Sequence, residues 1–196
     1  MEEIVKAFNH IVRDILIYVL PGVVLLFYIC FVYININSIS DWSFLITNNG
    51  LIIILIITAY ILGHIILAFM ELFFVKIPID IFIKRICFKK EFNELNEESN
   101  KFKDGELEIL AFSNKNAYDF FVERHTQLSL FRWNLSGSFF IISISTFLLR
   151  FIYDWFFISI GFISIFLFLI LFLFSIRTEI DGLQRRMFLA KKNNQI

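Results

Sequence analysis

The chain has 196 residues, of which 58% are hydrophobic, 18% are charged and 27 are Phe; 18 basic and 18 acidic side chains leave a formal net charge of zero. A water-soluble domain of this size cannot hide so much apolar surface in one core, so lipid replaces water as the expected solvent and soluble enzymes are disfavoured. Two Cys, at 30 and 87, make neither a disulfide framework nor a metal cluster, and 7 Gly with 2 Pro do not make a linker protein.

In chain order, residues 1–14 carry Ile4, Phe8, Ile11 and Val12 on one stripe, the pattern of a short cytosolic amphipathic helix. Residues 15–36 form a first uncharged run. Its length, the lack of a small-x-small site and the acids Glu2, Glu3 and Asp14 argue that it is retained and not cleaved as a leader. Residues 37–49 connect it, without Lys or Arg, to a second run at 50–75 whose single charge is Glu71.

Pro78 is expected to end the second run and to open a cytosolic segment, 76–132. Within it, 79–90 reads as a helix lying in an anionic headgroup layer: Ile79, Phe82, Ile83 and Ile86 share a face, with Lys84, Arg85, Lys89 and Lys90 beside them. Residues 91–108 are polar and acidic, as in a surface loop. Leu107, Leu110, Ala111, Phe121, Val122, His125 and Leu128 then indicate one or two amphipathic helices. Further runs at 133–150 and 155–176 precede a tail, 177–196.

About 20 residues at ~1.5 Å each cross the ~30 Å hydrocarbon layer, so each of the four runs is long enough to span it. None shows the alternation of a membrane strand. The expected fold is therefore all-α: an integral membrane four-helix bundle with a small helical cytosolic segment between spans 2 and 3. Seventeen of the 18 basic residues fall in 1–14, 76–132 and 177–196, which the positive-inside rule assigns to the cytoplasm together with both termini; Arg150 is the exception.

Within the second span, Tyr60, His64 and Glu71 fall within about 40° of one another at 100° per residue. Ionisable groups in a span usually face a bundle interior or water, so this stripe reads as pore-lining or as interhelical polar contact. In the third span Arg132, Ser136, Ser143 and Arg150 align in the same way, either along an anion-tolerant path or as helix-packing serines framed by snorkelling arginines. Gly161, Ser164 and Ser175 form a packing seam on the fourth. Pro21-Gly22 interrupts the first span, as a gate hinge or as a bend that fits the bundle.

Zinc-protease, dinucleotide, phosphate-loop and nucleophile-elbow motifs are missing, and His10, His64 and His125 are scattered, so no catalytic residue, metal or cofactor is expected. Arg124-His125 lacks the spacing of an R-x4-6-H nuclease. Ten acids between Asp80 and Glu123 offset the ten basic residues of 76–132, which argues against direct nucleic-acid binding. The expected partners are the lipid bilayer, further copies of the chain, since its polar stripes and small-residue seam exceed what one bundle needs, and a cytosolic protein.

At Leu20-Pro21-Gly22, at Ala59-Tyr60-Ile61-Leu62-Gly63-His64, and at Tyr118-Asp119-Phe120-Phe121 through Phe131-Arg132-Trp133-Asn134, the chain resembles a loose family of small bacterial four-span proteins. Some of these are similar to membrane accessory proteins encoded beside the RNA-guided RNA nucleases of type VI-B CRISPR systems, and subunits of other defence systems such as Kiwa share the outline. The resemblance implies an antiviral accessory role at the bacterial inner membrane, by pore formation or by membrane sensing. Two functions follow as expectations: a non-enzymatic effector that oligomerises and permeabilises or depolarises the membrane, or a non-conducting anchor that recruits a cytosolic defence partner.

The topology predicts that a cysteine placed at Ser40 reacts with an impermeant thiol reagent on intact cells, while cysteines within 91–116 react only after lysis. Labelling at Ser40 only after lysis reverses the orientation.

Overall fold

A computed structural model describes residues 11–37, 49–77, 79–102, 106–113, 115–118, 122–149 and 155–194. The expectations for Ile4 and Phe8, for most of the 37–49 connection, for Pro78 and for Arg150 lie outside the described residues. Among those described there is helix and no strand. A π-turn, Ile15–Val19, leads into α1 (Leu20–Asn37); α2 (Asn49–Met70) ends in a second π-turn, Glu71–Lys76. Then follow α3 (Ile79–Cys87), α4 (Lys89–Ser99), α5 (Glu106–Phe112), α6 (Lys115–Tyr118), α7 (Arg124–Leu149) and α8 (Trp155–Asn194).

Three helical stretches are long and apolar enough to cross a membrane: Ile11–Ile34, Gly50–Lys76 and Trp155–Asn193. Phe27, Ile53, Ile57, Phe162 and Phe166 on them each expose more than half of their surface. Side chains this apolar and this open require a hydrocarbon solvent, so the chain is a membrane protein. The expected third span lies within α7. There apolarity is diluted by Asn134, Ser136, Ser138, Ser143 and Thr146, all buried, while Ile144 and Leu148 are exposed. The helix has its polar face inside and its apolar face outside.

The chain divides into two compact units. Unit 1 comprises Met1–Glu71 and Phe131–Phe172. In it α1 and α2 meet backbone to backbone: a Cβ on Gly22 would lie 1.7 Å from the Ala59 carbonyl oxygen, and one on Gly63 would lie 2.0 Å from that of Tyr18. The face α2 buries is Ala59, Gly63, Ile66 and Met70, spaced 4, 3 and 4 residues apart as one helical stripe requires. Gly137 of α7 packs against Ile66 and Met70, and Gly161 of α8 against the Phe147 ring. Trp133 and Phe172 stack with ring centres 5.1 Å apart, Phe140 and Phe168 at 4.9 Å.

Unit 2 comprises Leu72–Leu130 and Leu173–Ile196. Its helices differ from expectation at α3 and α4. Where a surface loop was expected from Glu91, helix α4 forms, because Phe88, Phe92 and Leu95 recur at helical spacing and give a polar segment one apolar face. The expected tail, 177–196, is helical as far as Asn194: α8 continues unbroken, since Ile176, Ile180, Met187 and Ala190 keep one side buried. The predicted interfacial helix, 79–90, stops at Cys87; Phe88 leaves the helical conformation and α4 starts.

The glycines make opposite predictions. Gly22→Ala forces a methyl into the Ala59 carbonyl and should destabilise the protein by about 3 kcal/mol. At Gly182, in α8, an added Cβ meets only the His125 Cβ at 3.7 Å, so Gly182→Ala should gain up to about 1 kcal/mol of helix propensity. Thermal unfolding in detergent, followed by circular dichroism, checks both.

Candidate functional site

On α2, Tyr60 and His64 are one turn apart, and the structure brings them together: their ring centres lie 4.6 Å apart, edge to face. Tyr18, from the π-turn before α1, stacks on the His64 ring at 3.9 Å and 17° and meets Tyr60 edge-on at 5.9 Å. The close approach of Gly63 to the Tyr18 carbonyl makes this stack possible, because it draws the two backbones together beside His64. Sequence reasoning missed Tyr18. Its signal was the Gly63-His64 pair, a close-approach residue beside a ring that needs a neighbour.

The cluster does not face inward. Tyr60 and His64 are exposed on the protomer and Tyr18 is half-buried. Helix geometry explains the turn: with Ala59 and Gly63 in the backbone contact, residues 60 and 64 stand about 100° round the helix from the buried stripe. Glu71 is also exposed and opens the second π-turn, seven residues or about 10 Å along the axis from His64.

The α7 stripe resolves differently. Ser136 Oγ donates to the Trp133 carbonyl at 2.6 Å and Ser143 Oγ to that of Phe140 at 2.9 Å, both within their own helix, while Arg132 is half-buried. The residues that join helices are ones the projection left aside. Asn134 Nδ2 donates to the Ile17 carbonyl at 2.6 Å and to the Gly63 carbonyl at 3.1 Å. Ser138 Oγ donates to the Pro21 carbonyl at 2.9 Å, and the Tyr28 hydroxyl shares a 2.7 Å bond with Thr146 Oγ1.

Pro21 explains the choice of acceptors. It has no N–H to give to the turn before it, and the Asn134 amide donates to a carbonyl of that turn, Ile17. Pro21 and Gly22 are buried, bonded and in backbone contact. The candidate hinge is thus a packing point, where α1, α2 and α7 meet.

In unit 2 the geometry is electrostatic. Lys84, 7% exposed, reaches Asp80 Oδ2 at 3.2 Å and Glu179 Oε1 at 2.9 Å. Arg177 pairs with Glu91 and, at 3.3 Å, with Asp181; Lys191 meets Glu98 at 2.8 Å. Asn193 Nδ2 adds a bond to the Leu110 carbonyl at 2.7 Å, and Ser129 and Ser175 each donate to the other's carbonyl. The α3, α4 and α5 helices are therefore each tied to α8. Among the described residues no group of His, Cys, Asp and Glu forms a metal site.

A scan against family models and searches of curated proteins and of solved structures find no match.

The hydrogen bonds from Arg177 and Lys191 hold the Glu91 and Glu98 carboxyls below the ordinary glutamate range. A carboxyl with a lowered folded-state pKa contributes stability above its unfolded value, about 4.3, and loses it as pH falls through the folded value. Pulsed EPR between labels at Asn93 and Gln184 should therefore show the α4–α8 distance broadening as pH falls below about 4. Glu91→Gln combined with Glu98→Gln should broaden it at every pH.

Proposed function

We propose that the chain is a non-enzymatic membrane effector that acts by assembling in the bilayer, with four spans and both termini in the cytoplasm. The third span is α7 from about Trp133 onward, a crossing whose polar face is covered by its neighbours. Its place with α1 and α2 in unit 1, and its exposed Ile144 and Leu148, support that reading. In this topology unit 2 is the cytoplasmic part that receives the trigger.

One observation carries the assembly: the Tyr18–Tyr60–His64 cluster, with Glu71 beyond it, is open on a protomer whose other exposed side chains there are aliphatic. Polar and ionisable groups facing acyl chains are costly, and a second copy of the chain, or water enclosed between copies, removes that cost. The resemblance to accessory proteins of bacterial defence systems sets the context, in which assembly permeabilises or depolarises the inner membrane. A second reading, the non-conducting anchor that recruits a cytosolic defence protein, draws on a different fact. Ser136, Ser138, Ser143 and Thr146 are all buried and bonded, so the inside of one protomer offers no polar path.

Purified protein in liposomes should pass ions or dye, and His64→Leu or Glu71→Leu should reduce the flux by about tenfold or more, as expected for a loss of 1–3 kcal/mol of assembly or hydration energy per group. Arg132→Gln tests the third-span path in the same assay. Tight liposomes, with the protein shown to be inserted, leave the anchor reading.

A further inference from the structure

The α3 helix has an exposed face that the packing of unit 2 leaves uncovered. Phe82 and Ile86, one turn apart, are 63% and 62% exposed, and Arg85 is exposed between them. Residues 82, 85 and 86 are spaced as one helical stripe requires. Lys89 and Lys90, exposed in the first turn of α4, follow beyond the break at Phe88.

The charge on this face has been sorted by the fold. Asp80 is the single acid of α3, and it is turned inward, where it holds Lys84. Lys84, taken from the sequence as part of the basic fringe, is itself buried and neutralised by Asp80 and Glu179. The nearest acid of α4, Glu91, is bound to Arg177. On α3 itself the exposed side chains are Ile81, Phe82, Arg85, Ile86 and Cys87, none of them acidic; the exposed acids Glu94 and Glu97 lie further along α4.

We infer that this face is a docking surface for an anionic lipid leaflet, with Phe82 and Ile86 entering the acyl boundary and Arg85, Lys89 and Lys90 meeting headgroup phosphates. Two observations favour lipid over a protein partner. The charge is complementary to phospholipid phosphate, and exposed apolar side chains recur at Phe73, Val75 and Ile77, at the end of the preceding apolar stretch, and at Ile81, Phe82 and Ile86 of α3. Helix α3 starts at Ile79, three residues in sequence after that stretch ends at Lys76, close to the expected membrane boundary.

The inference rests on the spanning topology proposed above and not on conduction. Cys87, exposed at the end of α3, takes an environment-sensitive fluorophore in the full-length chain with Cys30→Ala. In vesicles of phosphatidylcholine its emission should be that of a water-exposed site. It should shift to shorter wavelength as phosphatidylglycerol is added, and salt should reverse the shift. Each cation near an anionic surface is worth about fivefold in partition, so Arg85→Gln, Lys89→Gln and Lys90→Gln together should lower the apparent affinity for the anionic leaflet roughly 100-fold.

Emission independent of phosphatidylglycerol overturns the proposal, and so does a shift that the triple variant keeps. A shift that appears only when a soluble protein is added assigns the face to that protein and also overturns it. Flux without the Cys87 response leaves the assembly reading standing and removes this surface; the Cys87 response without flux does the reverse.

Discussion

A proline inside a membrane helix leaves a carbonyl without its donor, and in hydrocarbon no water can take the donor's place. Here Pro21 follows a π-turn, and the amide of Asn134 from α7 donates to the Ile17 carbonyl of that turn while reaching the Gly63 carbonyl of α2. One side chain thereby ties three helices. The neighbouring contacts depend on the same approach: Ser138 on the Pro21 carbonyl, Gly22 against Ala59, Gly63 against Tyr18. Each needs the backbones closer than any residue larger than Gly permits at 22 or 63.

This junction also accounts for the side chains left outside. Small residues occupy the buried stripe of α2, so the larger polar ones, Tyr60 and His64, are rotated away from it and find their partner in Tyr18. The geometry therefore separates two placements of polarity in this chain: on α7 it joins helices, and on α2 it is exposed.

Unit 2 is held by other forces. Its helices are short, and α4 is among the most polar segments of the chain, so apolar burial by Phe92 and Leu95 is supplemented by ion pairs from α3 and α4 to α8 and by a hydrogen bond from α8 to α5. Most of these pairs are partly exposed and individually weak. Lys84 differs, being nearly buried between Asp80 and Glu179, where loss of either carboxylate leaves a desolvated charge.

The sequence by itself determined the solvent and the class of element. Uncharged runs of about 20 residues can satisfy their backbone in lipid only as helices, and the runs at 15–36, 50–75 and 155–176 all lie in helices that meet that requirement. It did not reveal which side of α2 is buried, because helical projection shows that Tyr60, His64 and Glu71 share a face but not what that face meets. Nor did it single out Asn134, whose acceptors, the Ile17 and Gly63 carbonyls, lie 117 and 71 positions earlier in other helical segments. The helix at Lys89–Ser99 and the inward turn of Lys84 were likewise hidden, since both follow from partners on α8. Composition and periodicity are local, whereas close approach and the pairing of buried polar groups are properties of helices already brought together, and only the tertiary structure decides them.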